Sequence, residues 1–74
     1  MINSGFTAFL NLRKYIATKL GYRDSIKVGK VAIAVQKDMK EMHPGKDIVE
    51  IAKLGRDHFN KHMEYYKLMY KNFI

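Results

Sequence analysis

From end to end of this 74-residue chain, apolar residues recur three and four positions apart, and nowhere does a long strict apolar–polar alternation replace that period. A period near 3.6 puts such residues on one side of an α-helix, so the pattern confines the chain to helices packed by their apolar stripes. Phe6, Phe9, Leu10, Ile16, Ala17 and Leu20 form the first stripe. Asn3 or Ser4 caps its start, and Gly21 closes its end in a left-handed conformation, which places a first helix at 4–20. Tyr22 to Ser25 reads as a connecting turn with Ser25 as the next cap.

Val28, Val31, Ala32, Val35, Met39 and Met42 form the second stripe. Gly29 and the β-branched cluster lower helix propensity and make a short strand the competing reading, but a stripe continuing to Met42 favours helix. Pro44 and Gly45 stop this helix, and Asp47 with Glu50 three residues later has the spacing of a capping box. The third helix starts near Asp47, with Ile48, Ile51, Ala52, Gly55 and Phe59 on one face; Gly55 weakens it while letting another helix come close. Asn60 interrupts or caps it. Lys61 to Ile74 carries Met63, Tyr66, Tyr70 and Phe73 on one side and Tyr65, Leu68 and Met69 on others, as if more than one side were covered. The expected fold is all-α: a small bundle of about four helices in one domain, residues 1–74, with no disulfides because there is no cysteine.

Charge is the other dominant feature. Fourteen Lys and Arg against seven Asp and Glu give +7 and an isoelectric point near 9.8. Residues 1–30 hold Arg13, Lys14, Lys19, Arg23, Lys27 and Lys30 against Asp24 alone, so +5 of the total lies there and +2 in residues 31–74. A surface of this kind attracts polyanions, and equally keeps a small protein in solution. Met1 to Arg23 contains four bases and no acid, as mitochondrial presequences do, but a domain this small needs that helix for its core. The longest uncharged run, Met1 to Leu12, is too short to cross a bilayer, and no basic stretch precedes it as in a secretory signal.

Catalytic chemistry finds little footing. No serine lies in a nucleophile-elbow pattern and no glycine-rich phosphate loop is present, while the acids are scattered among bases. His58 and His62, four apart, would share one face as a metal pair does, yet no third ligand accompanies them, so no metal and no cofactor is assigned. The methionines on helix seams read as core packing, and Tyr65, Tyr66 and Tyr70 beside Lys67 and Lys71 mix rings with cations as single-stranded nucleic-acid surfaces do.

From about Lys27 onward the chain resembles a high-mobility-group box or its plant YABBY-type relative. The likeness is densest in His43-Pro44-Gly45 followed by Ile48-Val49-Glu50-Ile51-Ala52-Lys53-Leu54-Gly55. Phe59 stands where that family often has Trp, a helix precedes the box in place of a basic arm, and the glycine falls one step early. The resemblance implies a three-helix DNA-binding unit over 27–74 that bends duplex without sequence preference. Lys27, Lys30 and Lys37 on its first helix, and Lys46, Lys53 and Arg56 around its second, would then face the minor groove or its phosphates. Arg13 and Lys14 of the charge-rich first half complete the candidate set.

The Lys-, Asn-, Tyr- and Ile-rich composition is also similar to small proteins of large double-stranded DNA viruses. The leading expectation is a non-catalytic DNA-binding or DNA-packaging module, in a nucleus or a virion, or otherwise intracellular and not secreted. A structural or adaptor protein that docks on other proteins or on itself, such as a minor capsid component, is the alternative. A basic first helix lying on an anionic membrane is a third and weaker reading.

Overall fold

The computed structural model describes residues 4–21 and 24–73, and these form four helices. Helix α1 is Ser4–Leu20. Gly21, at φ 96°, ends it and returns its N–H to the Ala17 carbonyl at 2.9 Å, the left-handed closure that an L side chain would resist. Asn3 and Tyr22 lie outside the described residues. Helix α2 is Ser25–Met42, helical throughout, so the strand reading of its β-branched cluster is set aside. Val28, Val31 and Val35 are buried on one helical face, where packing outweighs their modest propensity penalty. Asp24, not Ser25, is the cap: its carboxylate accepts from the amides of Ile26 and Lys27 at 3.0 and 3.1 Å. An anion at that end also meets the positive pole of the helix.

After the turn at Pro44 and Gly45, helix α3 runs Ile48–Lys61 with Asp47 accepting from the Glu50 amide at 3.0 Å. Helix α4 is Met63–Asn72. The break between them falls at His62 and not at Asn60, which stays helical. It is a mild one, since the His62 amide still donates to the His58 carbonyl and the His62 carbonyl accepts from Tyr66.

One core serves all four helices. Leu12, Ile16 and Ala17 of α1 meet Val28, Val31, Ala32 and Val35 of α2, Ala52 and Phe59 of α3, and Tyr66 of α4. Removing each large aliphatic side chain among them from water stabilises the fold by roughly 1.5–3 kcal/mol. Phe59 stacks on Tyr66 with ring centres 5.7 Å apart, and Tyr15 meets Phe59 edge to face at 6.4 Å. The Tyr66 hydroxyl, at the rim of this cluster, donates to Asp38 at 2.6 Å and ties α4 to α2.

Several expected core positions lie elsewhere. Phe6, Leu10, Met42 and Ile48 are 60, 40, 57 and 42% exposed, whereas Leu12, which the expected stripe omitted, is buried. Helices α2 and α3 both pack on α1, and Phe6 and Leu10 fall outside the strip they cover. On α4, Tyr65 and Leu68 are exposed at 59%, so this helix is covered on one side only. Gln36 is the unexpected core residue, 7% exposed, with Oε1 lacking a hydrogen-bond partner among the described residues.

Gly55 is the point of closest approach. A Cβ there would lie 3.1 Å from Val35 Cγ1, 3.3 Å from Leu12 Cδ2 and 3.7 Å from Met39 Cγ. Gly55→Val should therefore lower stability in urea denaturation by about 2–3 kcal/mol through overpacking. Gly55→Ala should be much milder, since a helix-propensity gain of about 1 kcal/mol offsets a crowding of a few tenths of an ångström. Replacing Gln36 by Leu should raise stability by about 1 kcal/mol, because it removes a buried acceptor that has no donor at similar side-chain volume.

Candidate functional site

The cations singled out in the sequence occupy several settings. Arg13 is half-buried and works inside the fold: Nη2 donates to the Ser25 carbonyl at 2.9 Å, and the guanidinium lies over Gly29, whose added Cβ would be 3.4 Å from Nε. It clasps the middle of α1 to the start of α2. Lys27 and Lys30 hold their ammonium groups over Tyr70 and Phe73, at 5.9 and 5.4 Å from the ring centres. Arg56 lies 4.1 Å from the centre of the Tyr15 ring, whose hydroxyl donates to Asn60 Oδ1 at 2.6 Å. Lys19 reaches the same ring at 5.5 Å. A ring face attracts a cation without neutralising it, so these contacts position positive charge at the surface.

Lys14, Lys37, Lys46 and Lys53 are exposed. Lys30 and Lys37, seven residues apart, stand on the side of α2 that faces away from Val28, Val31 and Val35, separated by roughly 10 Å along the axis. Lys40 continues this row and was missed in the sequence reading, although its spacing of three from Lys37 was sufficient to find it. Lys53 and Arg56 line a separate hollow of about 410 Å³ between α1 and α3, together with Thr7 and Asn11. The candidate residues thus form an α2 row and a pair on α3 that faces α1; Lys14 stands exposed on α1, Lys46 sits in the α2–α3 turn, and Arg13 is drawn inward.

The acids divide between internal contacts and the surface, where Glu41, Glu50, Asp57 and Glu64 are exposed. Asp24 and Asp47 close helix starts and Asp38 receives the Tyr66 hydroxyl. Three of the seven carboxylates are therefore engaged in internal hydrogen bonds.

A second hollow, of roughly 770 Å³, opens between α1 and α2 and is bounded by Ile48. Phe6, Phe9 and Ile33 line it, with Gln36 between them and Lys37 and Lys40 also at its wall.

His58 and His62 come together as expected, with ring centres 4.5 Å apart and planes tilted by 46°. Among the described residues no group of three or more His, Cys, Asp or Glu is arranged to hold a metal ion. Burial lowers the His58 pKa below its ordinary 6.5, and the charge of His62 adds to this while Asp38 opposes it. The Tyr66 phenol is pushed well above the usual tyrosine range by burial and then by its bond to Asp38, so it remains a donor. Among the described residues no helix is long and apolar enough to cross a membrane.

Because folded His58 resists protonation, the unfolded chain takes up that proton first as the pH falls. The stability it contributes is complete above about pH 6.5 and is lost as the pH drops through the depressed folded value. Melting temperatures measured at about pH 7.5 and about pH 5 should differ more for the native chain than for His58→Gln; equal differences would exclude the effect.

Comparison with family models, with curated proteins and with solved structures finds no match to this chain.

Proposed function

We propose that this protein is a small non-catalytic module that binds double-stranded DNA through its phosphates, with little base readout, and serves to bind or package DNA in a nucleus or a virion. The observation that carries this reading is the row of Lys30, Lys37 and Lys40 along the outer side of α2, on a chain of net charge +7. The roughly 10 Å between Lys30 and Lys37 matches about three steps of 3.4 Å rise along one DNA strand, so one helix face can meet several phosphates. Lys27, beside the row and held over Tyr70, adds a positioned cation. The Lys53 and Arg56 hollow, with Thr7 and Asn11, offers further donors to a phosphate. The resemblance to a high-mobility-group box, which places Lys27, Lys30 and Lys37 on its first helix, supports the same assignment.

Release of counterions makes such binding steeply dependent on salt. With about six phosphates neutralised, log affinity should fall against log salt with a slope near −5. Titration of random duplex over a salt series by gel-shift should show this slope. A Lys27, Lys30 and Lys37 triple alanine variant should flatten it by about 2–3. Absence of binding at low salt would reject the reading, and superimposable curves would remove these three lysines from the interface.

A further inference from the structure

The groove between α1 and α2 is not accounted for by phosphate binding, because its wall is mainly apolar. Ile33 and Phe6 are 60% exposed there and Ile48 is 42% exposed, and the three line one hollow instead of being scattered. The α2 wall is made by Ile33, Gln36, Lys37 and Lys40, at positions i, i+3, i+4 and i+7. That is one helix face over two turns, roughly 10 Å long, and it is an open trough rather than an enclosed cavity.

We propose that this groove docks an amphipathic, acidic helix of a partner protein. The inference shares Lys37 and Lys40 with the DNA reading but rests on the apolar wall, which that reading does not use. Its apolar wall suits anchors spaced i, i+3, i+4 and i+7, the pattern by which helices seat in grooves. Among the described residues two lysines and no carboxylate line the groove, so Asp or Glu beside the anchors is favoured and Lys or Arg is repelled. A second copy of this chain, itself carrying +7, is disfavoured by the same rule. Gln36 supplies a polar group at the groove floor: it is buried, it lines the groove, and its Oε1 lacks a donor among the described residues. The acceptor is shielded from solvent in the free protein, and a turn of the Gln36 side chain toward the groove would bring it to a donor on the docked helix.

The test uses the full chain and a fluorescein-labelled 18-residue helical peptide. It has leucines at i, i+3, i+4, i+7 and i+11, glutamates flanking them, and alanine and glutamine elsewhere. A second peptide has lysines in place of the glutamates. Fluorescence anisotropy should show one-to-one binding of the glutamate peptide and at least tenfold weaker binding of the lysine peptide. Ile33→Asn keeps the charge and alters an exposed residue, so circular dichroism should show an unchanged fold while affinity for the glutamate peptide drops at least tenfold. In the nitrogen–proton spectrum the Gln36 side-chain amide should shift on peptide addition. Equal binding by Ile33→Asn would reduce the contact to bulk charge and overturn the proposal. So would failure of the peptide to bind, equal binding of the lysine peptide, or a native dimer that Ile33→Asn dissociates. Gel-shift of Ile33→Asn on duplex separates the two readings, since DNA binding should survive this substitution whether or not the peptide result holds.

Discussion

The structure depends on the approach of three helices at Gly55. With no side chain there, Val35 and Met39 of α2 and Leu12 of α1 come within 3.1–3.7 Å of where a Cβ would sit. That contact seats α1 against both α2 and α3, and α1 is a wall of each surface hollow. Were α1 to stand off by one methyl diameter, Leu12 and Ile16 would regain water, and the α1–α2 groove and the Lys53–Arg56 hollow would each lose a side. A chain of 74 residues without cysteine has no disulfide with which to replace that packing.

Around this core the two signs of charge have different duties. Asp24 and Asp47 satisfy amides that a helix start leaves unpaired, and Asp38 anchors α4 by accepting the Tyr66 hydroxyl. Among the described residues most bases are turned outward, four of them against ring faces that attract a cation without cancelling it. Arg13 is the exception, a base used as a clasp, because the bare backbone at Gly29 leaves room for its guanidinium beside the Ser25 carbonyl.

Helix number and most boundaries were legible because they are local properties. The three-four spacing, Gly21 at a left-handed position, the stop at Pro44 and the Asp47 cap are each decided within a few residues. Burial within a stripe was less legible, because it depends on which neighbours arrive. Phe6 and Ile48 follow the period yet remain exposed, while Gln36 lies where the period places an apolar residue and is buried. Asp24 displaced Ser25 as the cap because a single residue of offset decides which side chain reaches the free amides. The set of cations was likewise readable by type but not by setting. Nothing in the sequence distinguished Arg13, bound to α2, from Lys37, which faces outward, and Lys40 was overlooked beside it.

The central claim is that α1 belongs to one cooperative unit with α2, α3 and α4, and is not an accessory laid on a three-helix domain. Native-state hydrogen exchange tests it most directly. The amides of Leu12, Ile16 and Ala17 should exchange with the same opening free energy, and the same denaturant dependence, as those of Val31, Val35, Ile51 and Phe59. Exchange of the α1 amides through a lower-energy local opening, while the other three helices stay protected, would contradict the account.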